Sequence, residues 1–423
     1  MAAPPEVAVA ATDRAARRRA RRKSRSFLRE LPWLAAGLGA LAAREAHGQS
    51  SIDTRFLFYK ESGGRTQVLN PVVMLHEDLG ETWGGVNLLL AYDSISGASP
   101  TGGYPSLDVT TSASGHTTSA GNFPQTQYTD TRKSGGLSWS RKFGAHLPSI
   151  DVSYAKENDY VARSFGFSDA WTMIEGRGTL HFGASFARDL VEPVKNPVSN
   201  PAGQNLQYPK SENGYSLGWT WIFGERDLVD LSASLMNLSG DLDDPYKIVP
   251  IGPPGSTTTS PDHRPDTRSR RAIVGKYGHS YLWGGVLKVN YRFYWDDWSV
   301  KAHTLDVTYD QTVTSDWIVT PRVRLYTQNA ASFYGSSFGS PETFMSADYR
   351  LSPLDSWLAG LALTHRIDDR LSVNLGGAYQ SQRGRDRVTP LATTPRPAGV
   401  GAISASAADL TVITITAGFT WSY

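Results

Sequence analysis

Thr411-Val412-Ile413-Thr414-Ile415-Thr416-Ala417-Gly418-Phe419-Thr420-Trp421-Ser422-Tyr423 decides the fold class. Apolar side chains fall at Ile413, Ile415, Ala417, Phe419, Trp421 and Tyr423, with small, mostly hydroxyl-bearing residues between them. Successive side chains of a strand point to opposite faces, so this stretch has one greasy face and one wet face. In a soluble sandwich the greasy face would be a core. Here the alternation runs on into three aromatics, which suits a strand that reaches a lipid–water interface.

The same alternation recurs upstream. Tyr215-Leu217-Trp219-Trp221-Phe223, Leu287-Val289-Tyr291-Phe293-Trp295, Trp357-Ala359-Leu361-Leu363 and Leu371-Val373-Leu375 are its clearest instances. Short polar links join some segments: Leu79 to Thr82, Gly144 to His146, Gly224 to Asp227, Thr314 to Asp316 and Ile367 to Arg370. Long insertions rich in Gly, Pro, Ser and Thr join others, at roughly 97–131, 190–212, 240–270, 329–353 and 383–408. Short and long links largely alternate, as periplasmic turns and extracellular loops do in a membrane barrel. The expectation is an all-β chain, a single transmembrane antiparallel up-and-down β-barrel of about 16 strands, within a range of about 14–18. An even count puts Asp348-Tyr349-Arg350-Leu351 in an outer hairpin rather than in a strand of its own.

Composition agrees. No apolar run outside the first 48 residues is long enough for a helical span. Tyr and Trp together outnumber Phe by 31 to 15, as interfacial girdles require. Mean hydropathy is −0.34, which fits a wall with only one face in lipid. With no cysteine, disulfides, thiolate metal sites and a lipidated N-terminal Cys are excluded. The net charge of +2 hides an asymmetry: residues 1–48 carry ten basic against four acidic groups, leaving 32 basic and 36 acidic in the rest. Nucleic acid is therefore not an expected partner.

Residues 1–48 read as a secretory signal peptide with a long basic n-region. Arg14 to Arg29 is basic, Leu31 to Ala43 is mostly apolar and too short to span, and Ala46-His47-Gly48 supplies small residues before a cut. Residues 49–423 are then the barrel, exported through a cleaved signal to the bacterial outer membrane.

Four stretches carry a resemblance: Tyr92 to Pro100 (YDSISGASP), Asp243 to Lys247 (DDPYK), Tyr291 to Trp298 (YRFYWDDW) and Arg324 to Tyr334 (RLYTQNAASFY). Together they resemble a bacterial family catalogued as domain of unknown function 3570. Leu325 stands where the family's pattern would have a tyrosine. The resemblance covers nearly all of 49–423 and implies an outer-membrane barrel without an established activity. It also implies a genomic association with thioredoxin-like proteins and periplasmic flavin transferases. The terminal strand resembles the signal by which barrel-assembly machinery recognises its clients, with Phe419, Trp421 and Tyr423 as the recognised aromatics.

Candidate chemistry is sparse. Gly335-Ser336-Ser337-Phe338-Gly339 matches a nucleophile elbow in letters, but no helical pattern follows it. Nine histidines, His303 among them, show no paired short spacing of a zinc site. Asp241, Asp243 and Asp244 open a long loop without the glycine and terminal Glu of a calcium loop, so a solvated acidic segment is the preferred reading. No catalytic, cofactor or metal residue is assigned. The luminal face is more telling. With Leu305, Val307, Tyr309, Val319, Val323 and Leu325 facing lipid, Asp306, Arg322 and Arg324 turn inward, and Lys288 is expected beside Asp306. Lys288, Asp306, Arg322 and Arg324 would form a luminal charge row, either a filter or a salt-bridge brace.

Function is expected to be passage of small solutes, with loop 97–131 or 240–270 folded inward as a constriction. A plugged barrel that holds an envelope protein, in redox or assembly, is the second reading, and an outer-membrane enzyme the third. Lipid is the expected environment. No enzyme activity and no cofactor are assigned.

Overall fold

The computed structural model describes residues 50–100, 110–111, 117–118, 125–195, 200–252, 258–387 and 405–423. The leader expected over 1–48 lies outside these residues, as do parts of the insertions expected at 97–131, 190–212, 240–270 and 383–408.

Alternating sequence becomes strand throughout. In chain order the strands are β1 (Ser51–Glu61), β2 (Gln67–Asp78), β3 (Gly85–Pro100), β4 (Thr110–Thr111), β5 (Thr117–Thr118), β6 (Gln125–Ser140) and β7 (His146–Lys156). There follow β8 (Tyr160–Met173), β9 (Gly178–Val191), β10 (Tyr208–Phe223), β11 (Asp227–Gly240), β12 (Ile248–Pro250), β13 (Thr259–Pro261) and β14 (Thr267–Ser280). The last six are β15 (Gly285–Asp296), β16 (Lys301–Thr312), β17 (Trp317–Gln328), β18 (Leu354–Arg366), β19 (Leu371–Gly384) and β20 (Leu410–Ser422). Two pairs, β4–β5 and β12–β13, are small separate hairpins, and the other strands form one closed barrel in sequence order. Every barrel pair is antiparallel, and β1 closes on β20 from Ser51–Ser422 to Glu61–Val412. The count is sixteen, as the parity argument requires. Asp348–Leu351 is a 3-10 turn (Tyr349–Leu351) capped by Asp348, not a hairpin of strands.

The two faces separate as the sequence alternates. Leu217, Leu231, Leu361, Leu375 and Ile413 point outward and are more than half exposed. Their neighbours Ser216, Ser232, Gly360, Asn374 and Thr414 lie on the inner face, in a ladder register that pairs them with small or polar residues such as Ser234, Gly218, Ala378 and Thr364. Connections at one end are tight: Leu79–Gly84, Arg141–Ala145, Ile174–Arg177, Gly224–Arg226, Tyr281–Gly284, Val313–Asp316 and Ile367–Arg370. Aromatics crowd this end of the outer wall, including Trp83, Trp171, Trp283, Trp317 and Tyr281, and Trp139 donates its indole N–H to the Trp83 carbonyl at 2.7 Å. At the other end the segments 101–124, 192–207, 241–266, 329–353 and 385–409 link strands, while 62–66, 157–159 and 297–300 stay short.

The apolar clusters of the described residues lie at the loop end, not midway along the barrel. Trp298, Val300, Ala331, Phe333 and Leu351 form one, and Val249, Ile251, Met345 and Ala347 the other. Burying one such large side chain is worth about 1.5–3 kcal/mol, which orders the loops that carry it. Gly240 begins the first of these loops at φ +110°, where a Cβ would sit 2.2 Å from the Pro209 carbonyl oxygen. Only glycine fits that turn off the barrel rim.

A lid over an arginine-lined cavity

Two loops, the described parts of 241–266 (241–252 and 258–266) and 329–353, fold together over the loop-end mouth. Phe338 bonds the backbone beside Ile251, with Gly252 N–H donating to Phe338 O at 2.7 Å and Phe338 N–H to Pro250 O at 3.0 Å. His263 and Met345 exchange backbone bonds at 2.9 and 2.8 Å. The Gly335–Gly339 stretch lies in this interface, with Gly335 N–H bonded to Ser346 O at 3.0 Å. It is lid backbone rather than a strand–turn–helix elbow.

Opposite charges hold the lid's interior. Asp348, 1% exposed, accepts from Arg350 Nε at 2.8 Å and from Arg264 Nη2 at 3.0 Å. Arg264 also donates to Asp262 at 2.6 Å, and Arg350 to Asp244 at 2.5 Å. Burial pushes the Asp348 carboxyl up, but Arg350, Arg264 and Lys247 outweigh it and hold the group well below the usual carboxylate range. The Asp348 charge in turn holds Arg350 above its ordinary value. Such a network is stable only when each buried charge keeps its partner.

The lid crosses to the far wall. Lys247 is buried, donates to Ser99 Oγ on β3 at 2.7 Å and sits over the Tyr349 ring. Arg65, from the β1–β2 turn, covers the same ring and donates to Ala407 O at 2.5 Å. Tyr246 donates to Asp159 in the β7–β8 turn, and Tyr334 to Asp386 beyond β19. Burial, with the Glu61 charge, pushes the Tyr349 hydroxyl up to about 12, so it stays neutral. Gln328 joins lid to wall by donating to Arg350 O and Ser352 O at 3.0 and 2.7 Å.

The four family-like stretches meet here. Ser99, Asp244 to Lys247, Asp296 to Trp298 and Tyr326 to Tyr334 all touch the lid or its seat. Asp296 on β15 takes Arg268 at 2.5 Å, receives the Tyr294 hydroxyl at 2.6 Å and caps Val300 N–H at 2.8 Å. The Arg268 guanidinium lies 4.1 Å from the Trp298 ring centre. Asp241, Asp243 and Asp244 do not converge on one point. Asp243 takes Arg264 N–H and His263, Asp244 takes Arg350, and Asp241 accepts from Asp243 N–H.

Under the lid is a cavity of about 420 Å³, lined by Arg264, Arg268, Arg270, Arg292 and Arg350 with Tyr326, among others. Arg268 and Arg270 come from β14, Arg292 from β15 and Tyr326 from β17. Among the described residues no carboxylate lies within ion-pair distance of Arg270, Arg292 or Arg324. Arg270 Nε is shielded from solvent without a hydrogen-bond partner. None of these lid and cavity arginines was singled out by sequence reading. The signal present was Arg268-Ser269-Arg270-Arg271, whose alternation puts Arg268 and Arg270 on one face and Arg271 on the other.

Lower on the same wall, Arg322 engages Asp306 at 3.1 Å through Nε and 2.5 Å through Nη2. Arg324 is the residue directly opposite Asp306. Lys288 faces Thr308, not Asp306, and its Nζ donates to Asp310 at 2.5 Å. The expected row is therefore two separate diagonal pairs. The turn Asp297–Val300 sets the β15–β16 register one pair away from the expected one, and in both pairs a long side chain reaches its diagonal neighbour. His303 faces outward and contacts Tyr291 and Phe293.

A closed antiparallel wall, apolar outside and polar inside, with turns at one end and loops at the other, is the architecture of outer-membrane β-barrels. Here one mouth also carries a lid. The chain belongs to the family described as "Protein of unknown function (DUF3570)", whose model matches residues 34–394. Among curated proteins none matches. Among solved structures the chain is similar to one described as "Bacterial polysaccharide outer membrane secretin", at 7% identity and a TM-score of 0.47, over 90% of this chain and 100% of that one. It is also similar to the siderophore receptor PirA from Pseudomonas aeruginosa, at 11% identity and a TM-score of 0.40, over 89% of this chain and 62% of the receptor.

Proposed function

We propose that the protein is an outer-membrane channel for small solutes, narrowed at its outer mouth by the lid. The observation that carries this is the polar wall of the barrel, tightly turned at one end and crossed at the other by lid segments bonded to the opposite wall. A sixteen-stranded barrel encloses an aqueous lumen wherever loops do not fill it. Loop 240–270 supplies half of the constriction, and 329–353 supplies the other half. The outward apolar belt and the aromatic girdle at the turn end fit lipid and an interface. Export through residues 1–48 and assembly through Phe419, Trp421 and Tyr423 belong to the same reading. The role is transport rather than catalysis.

A second reading is a capped barrel whose lid presents a surface to an envelope protein. The contacts of Lys247 with Ser99 and Tyr246 with Asp159, from one wall to the other, favour it. Planar-bilayer recording separates the two. Stepwise single-channel conductance from heat-modifiable, carbonate-resistant protein is expected of the channel. Correctly folded protein that never conducts, and that co-purifies with a partner from native membranes, leaves the capped scaffold.

A further inference from the structure

We infer that the cavity beneath the lid binds a small organic anion bearing two or more carboxylate or phosphate groups. The inference rests on the channel reading and names its solute class. Five arginines line the cavity, and the carboxylates nearby are already engaged. Asp348 and Asp262 hold Arg264, Asp348 and Asp244 hold Arg350, and Asp296 holds Arg268. Arg270 and Arg292 remain without an ion-pair partner, on adjacent strands and on one face, although Asp296, already held by Arg268, stands opposite Arg270. Arg292 lies over the Tyr294 ring, 5.0 Å from its centre, which leaves its charge without an anion. Arg270 keeps an Nε donor buried and unused. A buried donor without an acceptor is costly, and a planar guanidinium offers a two-pronged fit to carboxylate or phosphate oxygens.

The ligand's size and charge follow from the same site. A volume of about 420 Å³ falls in the range of small-molecule sites. Two separate guanidiniums are best used by an anion with two separated charged groups. A cation meets only repulsion from this wall. The Asp306–Arg322 pair below is internally neutral and does not compete for the ligand.

The test is calorimetric titration of the full-length, detergent-solubilised barrel with citrate, with inorganic phosphate and with choline. Citrate is expected to bind saturably, with phosphate weaker because it spans one guanidinium at a time, and choline silent. Arg270→Gln and Arg292→Gln should each weaken citrate about tenfold, the loss of one charge-assisted bidentate contact. Arg270→Lys, which keeps the charge without the fork, should recover part of that loss. Heat-modifiable migration of each variant verifies the fold. Citrate affinity unchanged in both Gln variants, or choline binding as well as citrate, overturns the inference. Phosphate binding tighter than citrate overturns its assignment to an organic anion. A barrel that conducts but does not bind citrate loses this inference and keeps the channel. One that binds citrate through Arg270 but never conducts loses the channel and keeps the site.

Discussion

The lid and the wall beneath it use the same residue in opposite ways. In the lid, Arg264 and Arg350 are surrounded by Asp262, Asp348 and Asp244, and every guanidinium faces a carboxylate. Lining the same cavity, Arg270 and Arg292 have no carboxylate within ion-pair distance, and Arg270 Nε has no hydrogen-bond partner. Balanced charge fixes the loops in place. Unbalanced charge leaves a field in the cavity, which in the proposed channel would favour anions over cations. The difference gives each arginine a distinct mutational signature.

The largest effect belongs to the balanced side. Asp348→Asn leaves two arginines facing a buried neutral amide, and breaking such a network costs on the order of 3–5 kcal/mol. The lid should open while the barrel stays closed. Limited proteolysis would then cut within 241–266 and 329–353, heat-modifiable migration would persist, and single-channel conductance would rise. Retained protease resistance breaks the comparison.

The unbalanced side should respond with the opposite sign. Arg270→Leu removes a buried donor that has no acceptor, so stability in denaturant titration should rise by about 1 kcal/mol. Arg264→Leu, which strands Asp262 and Asp348, should lower it. Equal losses in the two variants would mean that the wall arginine is as well paired as the lid arginine.

The Asp306–Arg322 pair, with its arginine near half exposed and its aspartate mostly covered, sits between these cases. Arg322→Glu should change stability by at most about 1 kcal/mol and shift reversal potentials toward cations. Had Arg322 faced lipid, Arg322→Leu would stabilise the barrel by about 2–4 kcal/mol near the midplane. Its bond to Asp306 and the outward position of Val323 and Leu325 place it inside instead.

The last effect concerns the β7–β8 turn, outside both regions. Burial, then the neighbouring Asp130 charge, pushes the Glu157 carboxyl up to about 7, and Asp159 adds to it. The folded state therefore holds a proton there that the unfolded chain, titrating near its ordinary value, releases earlier. This contribution is present at acid pH and lost as pH rises toward and through about 7. Thermal stability should decline over that window, and Glu157→Gln should flatten the slope. An identical slope in the variant would show that other groups set it.

The barrel was readable because a closed wall with one apolar and one polar face imposes a period of two on its strands, and 215–223, 287–295 and 411–423 display it openly. That Asp306, Arg322 and Arg324 share one face, opposite Val323 and Leu325, follows from that period alone. Partnership was harder. Lys288 was expected beside Asp306 but reaches Asp310, because register depends on the geometry of one four-residue turn. The lid was less legible still. Its bonds join Arg350 to Asp244 and Lys247 to Ser99 across more than a hundred residues, from loops that carry no periodic signal. The family-like stretches marked its parts, but the sequence had no means of showing that they share one mouth.

The seam between β1 and β20 has a consequence for how the chain reaches this state. Other neighbouring strands of the barrel are consecutive along it and can zip as local hairpins, whereas Ser51 and Ser422 must find each other from opposite ends. Loop-closure entropy grows only logarithmically, so joining the ends costs about 4 kcal/mol more than closing a five-residue turn. The ladder from Ser51–Ser422 to Glu61–Val412 offsets that once made. Before then the sheet carries two long unpaired edges, which invite pairing with other chains. Closure, rather than strand formation, is the step at which this protein is exposed to aggregation.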